Sequence, residues 1–256
     1  MLYNFLKGDF LHLFIIPGNP PALYFYKLWA EEIQRAYPEC SVCISPYPCL
    51  PTSDNSSRYL REIAAVHGQE LLNFHKSSKK KVMIIGHSLG AWMALRLLEE
   101  YNTVIEQCIL LYPFLQRPNI KGRAILKSIR YLYRMPFIEN LLVGCRSILE
   151  TVCGDLKYVT DEELRTSLAL AYHEYEVIGR HTGVIQIPEQ VRKKLHMIYC
   201  NQDTWCSSNT INEIRHLISC ERTDAKHDFI TSTQERAIVL KALLLRAGYN
   251  LSPLTP

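Results

Sequence analysis

Ser88 stands between Gly86 and Gly90 in the stretch IIGHSLGAW, residues 84–92. An apolar run precedes this stretch and a helix-like run follows it, which is the context of a sharp strand–turn–helix corner. Small residues at 86 and 90 relieve crowding there, and we expect a strained backbone at 88. The corner lifts the serine hydroxyl clear of the sheet at a helix N-terminus, so the pattern predicts a nucleophile. The alternative is that the stretch only turns the chain.

A nucleophilic serine needs a base, and the base needs an acid that orients it. After a corner of this type the expected chain order is Ser, then Asp or Glu, then His. Asp203 follows the apolar run LHMIYC, and His227 follows the strand-like ISCERT. Because the carboxyl ends of parallel strands meet at one edge of a sheet, we expect both side chains to reach Ser88. Asp224 and Asp228 are nearer to His227 in sequence, and we interpret them as polar loop residues.

Eight further histidines compete with His227 for the role of base. Most lie in or beside predicted strands or in predicted helices, where structural or solvent-facing roles are commoner than catalysis. They are His12, His67, His75, His87, His173, His181, His196 and His216. His227 has the best position, because it comes just past a strand end.

Two backbone amides are candidates to bind the oxyanion of an acyl-transfer reaction. Leu89 directly follows the serine, so its amide faces the developing charge. A second donor is expected from the loop after the first long strand, which reads IIPGNPPALYFY. Gly18 allows a close approach, whereas Pro20 and Pro21 have no amide hydrogen. Asn19 is therefore the predicted second donor, and the alternative is an ordinary proline-rich turn that enters a helix.

The order of the apolar segments predicts the fold. Six runs are continuous rather than alternating, as is typical of strands covered on both faces: residues 11–16, 41–45, 81–86, 108–112, 195–200 and 218–223. Segments with helical periodicity separate most of them. This order predicts an α/β fold with a mostly parallel central sheet and helices on both faces. Residues 114–194 have helical character and no clear strand, so we predict a single domain over 1–256 with a helical cap inserted at about 114–194.

Composition excludes several classes of protein. With 48% hydrophobic and 21% charged residues, the chain can bury a sizeable core and is not globally disordered. Its net charge of +4 is too small to indicate a nucleic-acid partner. The nine cysteines show no disulfide framework, and Cys40 and Cys43 form the only C-x-x-C pair, so we predict a reduced intracellular protein without a metal site. The N-terminus lacks the features of a secretion signal, and the predicted chemistry needs no cofactor.

Four segments resemble the lipid droplet-associated hydrolase family of the α/β-hydrolase superfamily. They are LFIIPGNP...FY at 13–26, GHSLG at 86–90, DTWC at 203–206 and HDFI at 227–230. The resemblance implies an α/β-hydrolase fold in which Ser88, Asp203 and His227 form a catalytic triad, and it agrees with the placement derived above. The sequence departs from the family pattern at Pro21, where a glycine is expected, and at Lys226 and Asp228, where Pro and Ala are more usual.

The segment 121–135 of the predicted cap is basic and amphipathic. Arg123, Lys127, Arg130 and Arg134 recur at spacings of four, three and four, which places them on one helical face. Leu126, Ile129, Leu132 and Tyr133 lie opposite them. This pattern is typical of a helix that lies in a lipid interface. The alternative is a cap helix whose basic face is wet and whose apolar face closes the active site.

The sequence therefore predicts a serine hydrolase of carboxylic esters, and the resemblance implies lipid ester substrates such as acylglycerols or sterol esters. It also implies a location on lipid droplets and in the cytosol, including the cytosolic face of the endoplasmic reticulum. A rival hypothesis is a surface-binding protein that keeps the fold and does little chemistry. A third keeps the mechanism but changes the bond to a thioester or an amide. The residues do not discriminate between these bonds.

Overall fold

The computed structural model describes residues 3–5, 11–50, 55–135, 137–145 and 157–246. Its centre is a seven-stranded sheet with the spatial order β1-β3-β2-β4-β5-β6-β7. The strands are β1 (Tyr3–Phe5), β2 (Leu11–Ile16), β3 (Cys40–Ile44), β4 (Val82–His87), β5 (Ile105–Leu111), β6 (Leu195–Tyr199) and β7 (Ser219–Arg222). β1 runs antiparallel to β3, and every other neighbouring pair is parallel. The predicted parallel sheet is confirmed, with one antiparallel edge strand in addition.

Side chains of the central strands are buried on both faces of the sheet. In β4, Val82 and Ile84 belong to one apolar cluster, and Met83 and Ile85 belong to another on the opposite face. This arrangement explains why the strands read as continuous apolar runs, because neither face meets water. Cys40 and Cys43 both lie buried in β3 as free thiols, and each packs in an apolar cluster as a small hydrophobic residue.

Helices cover both faces of this sheet. The α-helices of the described residues are α1 (Leu23–Ala36), α2 (Ser56–Ser78), α3 (Leu89–Glu100), α4 (Ile120–Tyr133), α5 (Ile138–Gly144), α6 (Asp161–Glu174), α7 (Glu189–Arg192), α8 (Ser208–Ile214) and α9 (Thr233–Arg246). α1 and α9 pack on one face, where Trp29 and Val239 are fully buried, and α2 and α3 pack on the other. In the described part of the chain, no helix combines the length and the hydrophobicity that crossing a bilayer requires.

Polar residues begin several of these helices. Asn55, Asn119 and Ser207 each accept a hydrogen bond from a backbone amide of the first turn that follows. At α6 the Thr160 side chain accepts from the amide of Glu163, and the Glu163 carboxylate accepts in return from the amide of Thr160. Each cap satisfies amides that would otherwise lack an acceptor, so these residues fix where the helices start.

The segment between β5 and β6 is helical, as the sequence predicts. Among its described residues it contains α4, α5, α6, a π-helical turn at Tyr175–Gly179 and α7, and no strand. Positions 136 and 146–156 of the predicted cap lie outside the described residues. α6 packs against both α4 and α2, so the segment rests on the core rather than extending from it. We refer to residues 114–194 as the cap, although their status as an insertion in a single domain stays a prediction.

Candidate active site

Ser88 occupies the corner between β4 and α3 with φ 53° and ψ −115°. These angles lie in a region that residues other than glycine rarely adopt, so the expected backbone strain is present. A Cβ atom on Gly86 would lie 2.3 Å from the carbonyl oxygen of Gly90. One on Gly90 would lie 2.3 Å from the carbonyl oxygen of Ile16 in the neighbouring strand. Glycine is therefore required at both positions, as the crowding argument predicts.

The three predicted triad residues meet at the carboxyl edge of the sheet. His227 Nε2 lies 3.0 Å from Ser88 Oγ, and His227 Nδ1 lies 2.9 Å from Asp203 Oδ2. Both distances are within hydrogen-bonding range, so one imidazole contacts the hydroxyl and the carboxylate at once. The Asp203 side chain is fully buried, and that of His227 is 17% exposed. This arrangement allows a proton to move from the serine to the imidazole while the carboxylate holds the ring.

Asp203 is held by the backbone that follows it. Its Oδ1 accepts hydrogen bonds from the amides of Trp205, at 2.7 Å, and Cys206, at 3.1 Å. The Asn119 side chain also donates to the Asp203 carbonyl oxygen. One carboxylate oxygen is thus occupied by the turn, and the other is directed at His227. Asp224, which the sequence offers as a nearer acid, does not hydrogen-bond to His227 within the described residues.

The two predicted oxyanion donors lie in segments that adjoin the serine. Leu89 is the first residue of α3, where an amide has no acceptor within the helix. The loop that carries Asn19 passes so close that a Cβ on Gly18 would lie 3.1 Å from the Cβ of Ser88. Within the described residues, the amides of Asn19 and Leu89 donate no hydrogen bond, so both remain available to a substrate. The Asn19–Pro20 peptide bond is cis.

His87 and Tyr26 join this site, although sequence reasoning did not single them out. The Gly18 amide donates to Tyr26 Oη at 2.8 Å, and Tyr26 Oη lies 2.5 Å from His87 Nδ1. His87 Nε2 lies 2.9 Å from the carbonyl oxygen of His227. The pKa of His87 is held well below its ordinary value, first by burial and second by the proximity of His227. The ring is therefore neutral.

A neutral His87 fits both of its neighbours. Its Nδ1 accepts the Tyr26 hydroxyl proton, and its Nε2–H donates to the backbone of His227. A single hydrogen-bonded chain therefore connects the loop of Asn19 with the segment that carries His227. The signal in the sequence was the position of His87 directly before Ser88, but nothing in the pattern indicates Tyr26 as its partner.

A small cavity of about 120 Å³ opens above Ser88. One part of its wall is apolar and comes largely from the cap, with Phe114, Ile125, Leu126, Ile129 and Trp205. The other part is polar and is formed by Asn19, Ser167 and Glu174. The cap thus provides both the cover of the nucleophile and most of the surface that an acyl group would meet.

The basic residues of α4 have different surroundings. Arg130 forms an ion pair with Glu176 and lies over the ring of Tyr175, whereas Lys127 is exposed. Arg134 lies over the ring of Tyr172. On the apolar side Leu126 is buried, but Leu132 is 38% exposed. The outer surface of α4 and of the segment that follows therefore mixes cations with exposed apolar side chains: Ile120, Tyr131, Leu132, Met135, Phe137 and Leu141.

Comparison with known proteins agrees with this geometry. A family model described as lipid-droplet associated hydrolase matches residues 10–152. The chain belongs to this family. Among its relatives, the lipid droplet-associated hydrolase of Homo sapiens is 26% identical over 269 residues, which cover 88% of this chain and 82% of that protein. The relative of the same description from Gallus gallus is 25% identical over 238 residues, with 78% and 72% covered.

Solved structures that resemble this lipid-droplet associated hydrolase family member are α/β-hydrolases. A hydrolase from Oleispira antarctica superposes with a TM-score of 0.68 at 14% identity, covering 97% of this chain and 94% of that one. An α/β-hydrolase enzyme from a deep-sea metagenome library gives 0.66 at 11% identity, with 100% and 96% covered. The predicted α/β-hydrolase fold is confirmed, and family and fold together identify the chain as a hydrolase.

Proposed function

We propose that the chain is a serine hydrolase that cleaves carboxylic esters of lipids through an acyl-enzyme. The observation that carries this proposal is the contact of His227 with both Ser88 and Asp203, at 3.0 Å and 2.9 Å. A serine whose hydroxyl meets an oriented imidazole at a helix N-terminus has what nucleophilic acyl transfer requires. Family membership and the α/β-hydrolase fold support the same reaction class.

In this mechanism Ser88 Oγ attacks the ester carbonyl carbon while its proton passes to His227 Nε2. The carbonyl oxygen becomes an oxyanion, which the amides of Leu89 and Asn19 stabilise. His227 then returns the proton to the leaving alcohol oxygen as the ester bond breaks, which leaves an acyl group on Ser88. A water molecule repeats the sequence, with His227 accepting its proton, and releases the carboxylic acid and the free serine.

A Ser88→Ala variant tests the reaction class. We expect hydrolysis of short-chain nitrophenyl esters to fall to background, because only Oγ of Ser88 is activated by the imidazole. Ser128→Ala, on the exposed surface of α4, is the matched control and should keep full activity. A fluorophosphonate probe should label the parent at Ser88 and leave the Ser88→Ala variant unlabelled. An unlabelled but folded parent would favour the surface-binding rival.

Lipid esters are the proposed substrates because the cavity wall from the cap is apolar and because the relatives are named lipid droplet-associated hydrolases. The cavity volume of about 120 Å³ is smaller than the roughly 150 Å³ of an engineered cavity that encloses benzene. A long acyl chain or a sterol therefore exceeds this cavity and must extend through its opening or displace the cap. A panel of short esters, acylglycerols, sterol esters, thioesters and amides tests the bond and the chain length. Exclusive cleavage of amides would contradict the ester proposal.

We also propose that the outer surface of α4 and α5 binds a lipid surface. Exposed Tyr131, Leu132 and Phe137 would insert between headgroups, while Lys121 and Lys127 attract anionic lipid. Flotation with vesicles that contain phosphatidylserine tests this surface. Reversal of Lys121 and Lys127 to Glu should reduce vesicle binding, whereas reversal of the exposed Lys79 and Lys80, away from the cap, should not. Equal loss in both variants would contradict the assignment. On lipid droplets or the cytosolic face of the endoplasmic reticulum, this surface would bring the active site to its substrate.

A further inference from the structure

The side chain of Asn19 is held by the cap. Ser167 Oγ donates to Asn19 Oδ1 at 2.7 Å, and Asn19 Nδ2 donates to the Ser167 carbonyl oxygen at 3.1 Å. The same Nδ2 lies 3.2 Å from Glu174 Oε1. Both polar atoms of the amide group are thus occupied by α6, which is separated from Asn19 by about 150 residues of sequence. A rotation of Asn19 would break all three hydrogen bonds.

The same helix also holds the other end of this loop. The amide of Leu23, the first residue of α1, donates to Glu163 Oε1 at 3.0 Å. Glu163, Ser167 and Glu174 are four and seven residues apart, so they lie on one face of α6. One face of the cap helix α6 therefore forms hydrogen bonds with both ends of the segment 19–23. No other described element contacts the Asn19 side chain through hydrogen bonds.

We propose that Ser167 and Glu174 are positioning residues that set the direction of the Asn19 amide, so that the cap is part of the oxyanion hole. This inference rests on the proposed serine hydrolase mechanism. The Asn19 amide has no acceptor among the described residues, and the three side-chain hydrogen bonds restrict rotation of the residue that carries it. Because an oxyanion donor works only when it is aligned before the reaction, loss of these side-chain bonds lowers the rate of the chemical step.

The chemistry of Glu174 is compatible with this role. Its side chain is almost fully buried and lines the same cavity as Ser88. Burial raises the pKa of Glu174 to about 8, and the Asn19 hydrogen bond, which acts in the opposite direction, does not offset it. The carboxyl is therefore mostly neutral at neutral pH. A neutral carboxyl accepts the hydrogen bond from Asn19 without placing a negative charge beside the developing oxyanion. A glutamine has the same acceptor and no charge, and it is therefore the conservative replacement.

The test compares Ser167→Ala, Glu174→Leu and Glu174→Gln, with Glu162→Gln on the exposed side of α6 as the matched control. A short nitrophenyl ester is the substrate, and all rates are divided by the fraction of sites that a fluorophosphonate labels. We expect kcat to fall about tenfold in Ser167→Ala and up to about a hundredfold in Glu174→Leu, with KM changed less than threefold. Glu174→Gln should keep at least half of the parental kcat. The affinity for a trifluoromethyl ketone, which forms an oxyanion on Ser88, should fall in parallel with kcat.

The outcomes separate this inference from the function on which it rests. A parent that the fluorophosphonate does not label would overturn the serine hydrolase mechanism and the positioning role with it. A labelled, active parent whose Ser167→Ala and Glu174→Leu variants keep kcat per labelled site would overturn the positioning role alone. Equal losses in Glu174→Gln and Glu174→Leu would do the same, since the acceptor would then not matter. If Glu174→Leu does not fold, Ser167→Ala decides, because it removes one hydroxyl and leaves the packing intact.

Discussion

Asp203 illustrates how a single residue serves the site through both of its oxygens. Oδ1 is fixed by the amides of Trp205 and Cys206, and this leaves Oδ2 directed at His227 Nδ1. A carboxylate that accepts two charge-assisted hydrogen bonds from backbone amides cannot rotate freely. The imidazole is consequently held in the tautomer that carries its proton on Nδ1, and its unprotonated Nε2 faces Ser88.

Replacement of Asp203 by Asn tests this role. Oδ1 of the asparagine still accepts both amides, so the fold is retained, but its amide group now donates towards His227 Nδ1. That donor favours the tautomer in which Nε2 carries the proton and is unable to accept one from Ser88. We expect kcat for a short ester to fall about a thousandfold to ten-thousandfold with little change in KM. Circular dichroism should match that of the parent, and a loss below tenfold would contradict the triad.

Sequence reasoning identified the residues that carry a recognisable chemical pattern. Ser88, Asp203 and His227 could be predicted because their types, order and positions after apolar runs leave few alternatives. Tyr26 and Glu174 could not, because a buried tyrosine or a helical glutamate has no distinctive spacing. Their roles depend on contacts with residues that are distant in sequence, and only the folded structure brings those together.

At the scale of elements, α9 supports the segment that carries His227. The Arg236 guanidinium is almost fully buried and binds both oxygens of Glu32 on α1, at 2.9 Å and 2.6 Å. It also donates to the Ile230 carbonyl oxygen at 2.9 Å, in the 3-10 turn Phe229–Thr231 just after His227. One side chain therefore connects the first helix, the last helix and the approach to the base.

An Arg236→Met variant should lose this connection while it retains most of the volume of the side chain. Glu32 and the Ile230 carbonyl then lack their partner, which costs about 1–3 kcal/mol of unfolding free energy, because the Glu32 side chain is 23% exposed and regains water. Urea denaturation followed by tryptophan fluorescence measures the change. Lys241→Met on the exposed side of α9 is the control. A loss below about 1 kcal/mol for Arg236→Met would show that the pair contributes little.

Most elements were predictable because each carries its own periodicity. Outside the cap, helical periodicity predicts helices within residues 22–37, 56–75, 89–101, 208–218 and 231–248, and the structure has a helix in each, although α8 ends at Ile214. β5 starts at Ile105, earlier than the predicted start at residue 108. The prediction started too late because Glu106 and Gln107 interrupt the apolar pattern at the beginning of the strand. β1 was not predicted as a strand, since three residues are too few for an alternating pattern. Its pairing with β3 is a tertiary interaction.

At the scale of the whole molecule, the buried carboxyl of Glu174 makes stability depend on pH. Its pKa in the folded protein is about 8, raised from an ordinary 4.5 by burial. Below about pH 4.5 both the folded and the unfolded chain keep this proton. Between 4.5 and 8 the unfolded chain releases it while the folded chain retains it, so rising pH favours unfolding across that window.

Glu174→Gln should remove this dependence, because glutamine does not titrate. Relative to the variant, the parent should lose up to about 1.4 kcal/mol of unfolding free energy for each pH unit between 5 and 8. Urea denaturation of both proteins at pH 5, 6, 7 and 8 measures the difference. The other titrating groups are the same in both proteins, so their contributions cancel in the comparison. A difference that stays constant with pH would mean that Glu174 is already ionised in the folded state.

The overall architecture was predictable from the sequence, and the packing of the cap was not. Alternation of buried strands and amphipathic helices leaves an α/β arrangement as the simplest solution. The cap helices have no such constraint, and their places depend on pairs such as Arg130 with Glu176 and Ser167 with Asn19. Such polar pairs between distant segments leave no periodic signal.

The position of the cap between β5 and β6 also has a consequence during synthesis on the ribosome. The free edge of β5 can pair with β6 only when β6 emerges, after about 80 further residues, or roughly 4–16 seconds at typical elongation rates. During that interval an apolar strand edge is open to pairing with other nascent chains. The nascent chain is therefore most prone to aggregate before its last quarter is made, whatever the stability of the finished protein.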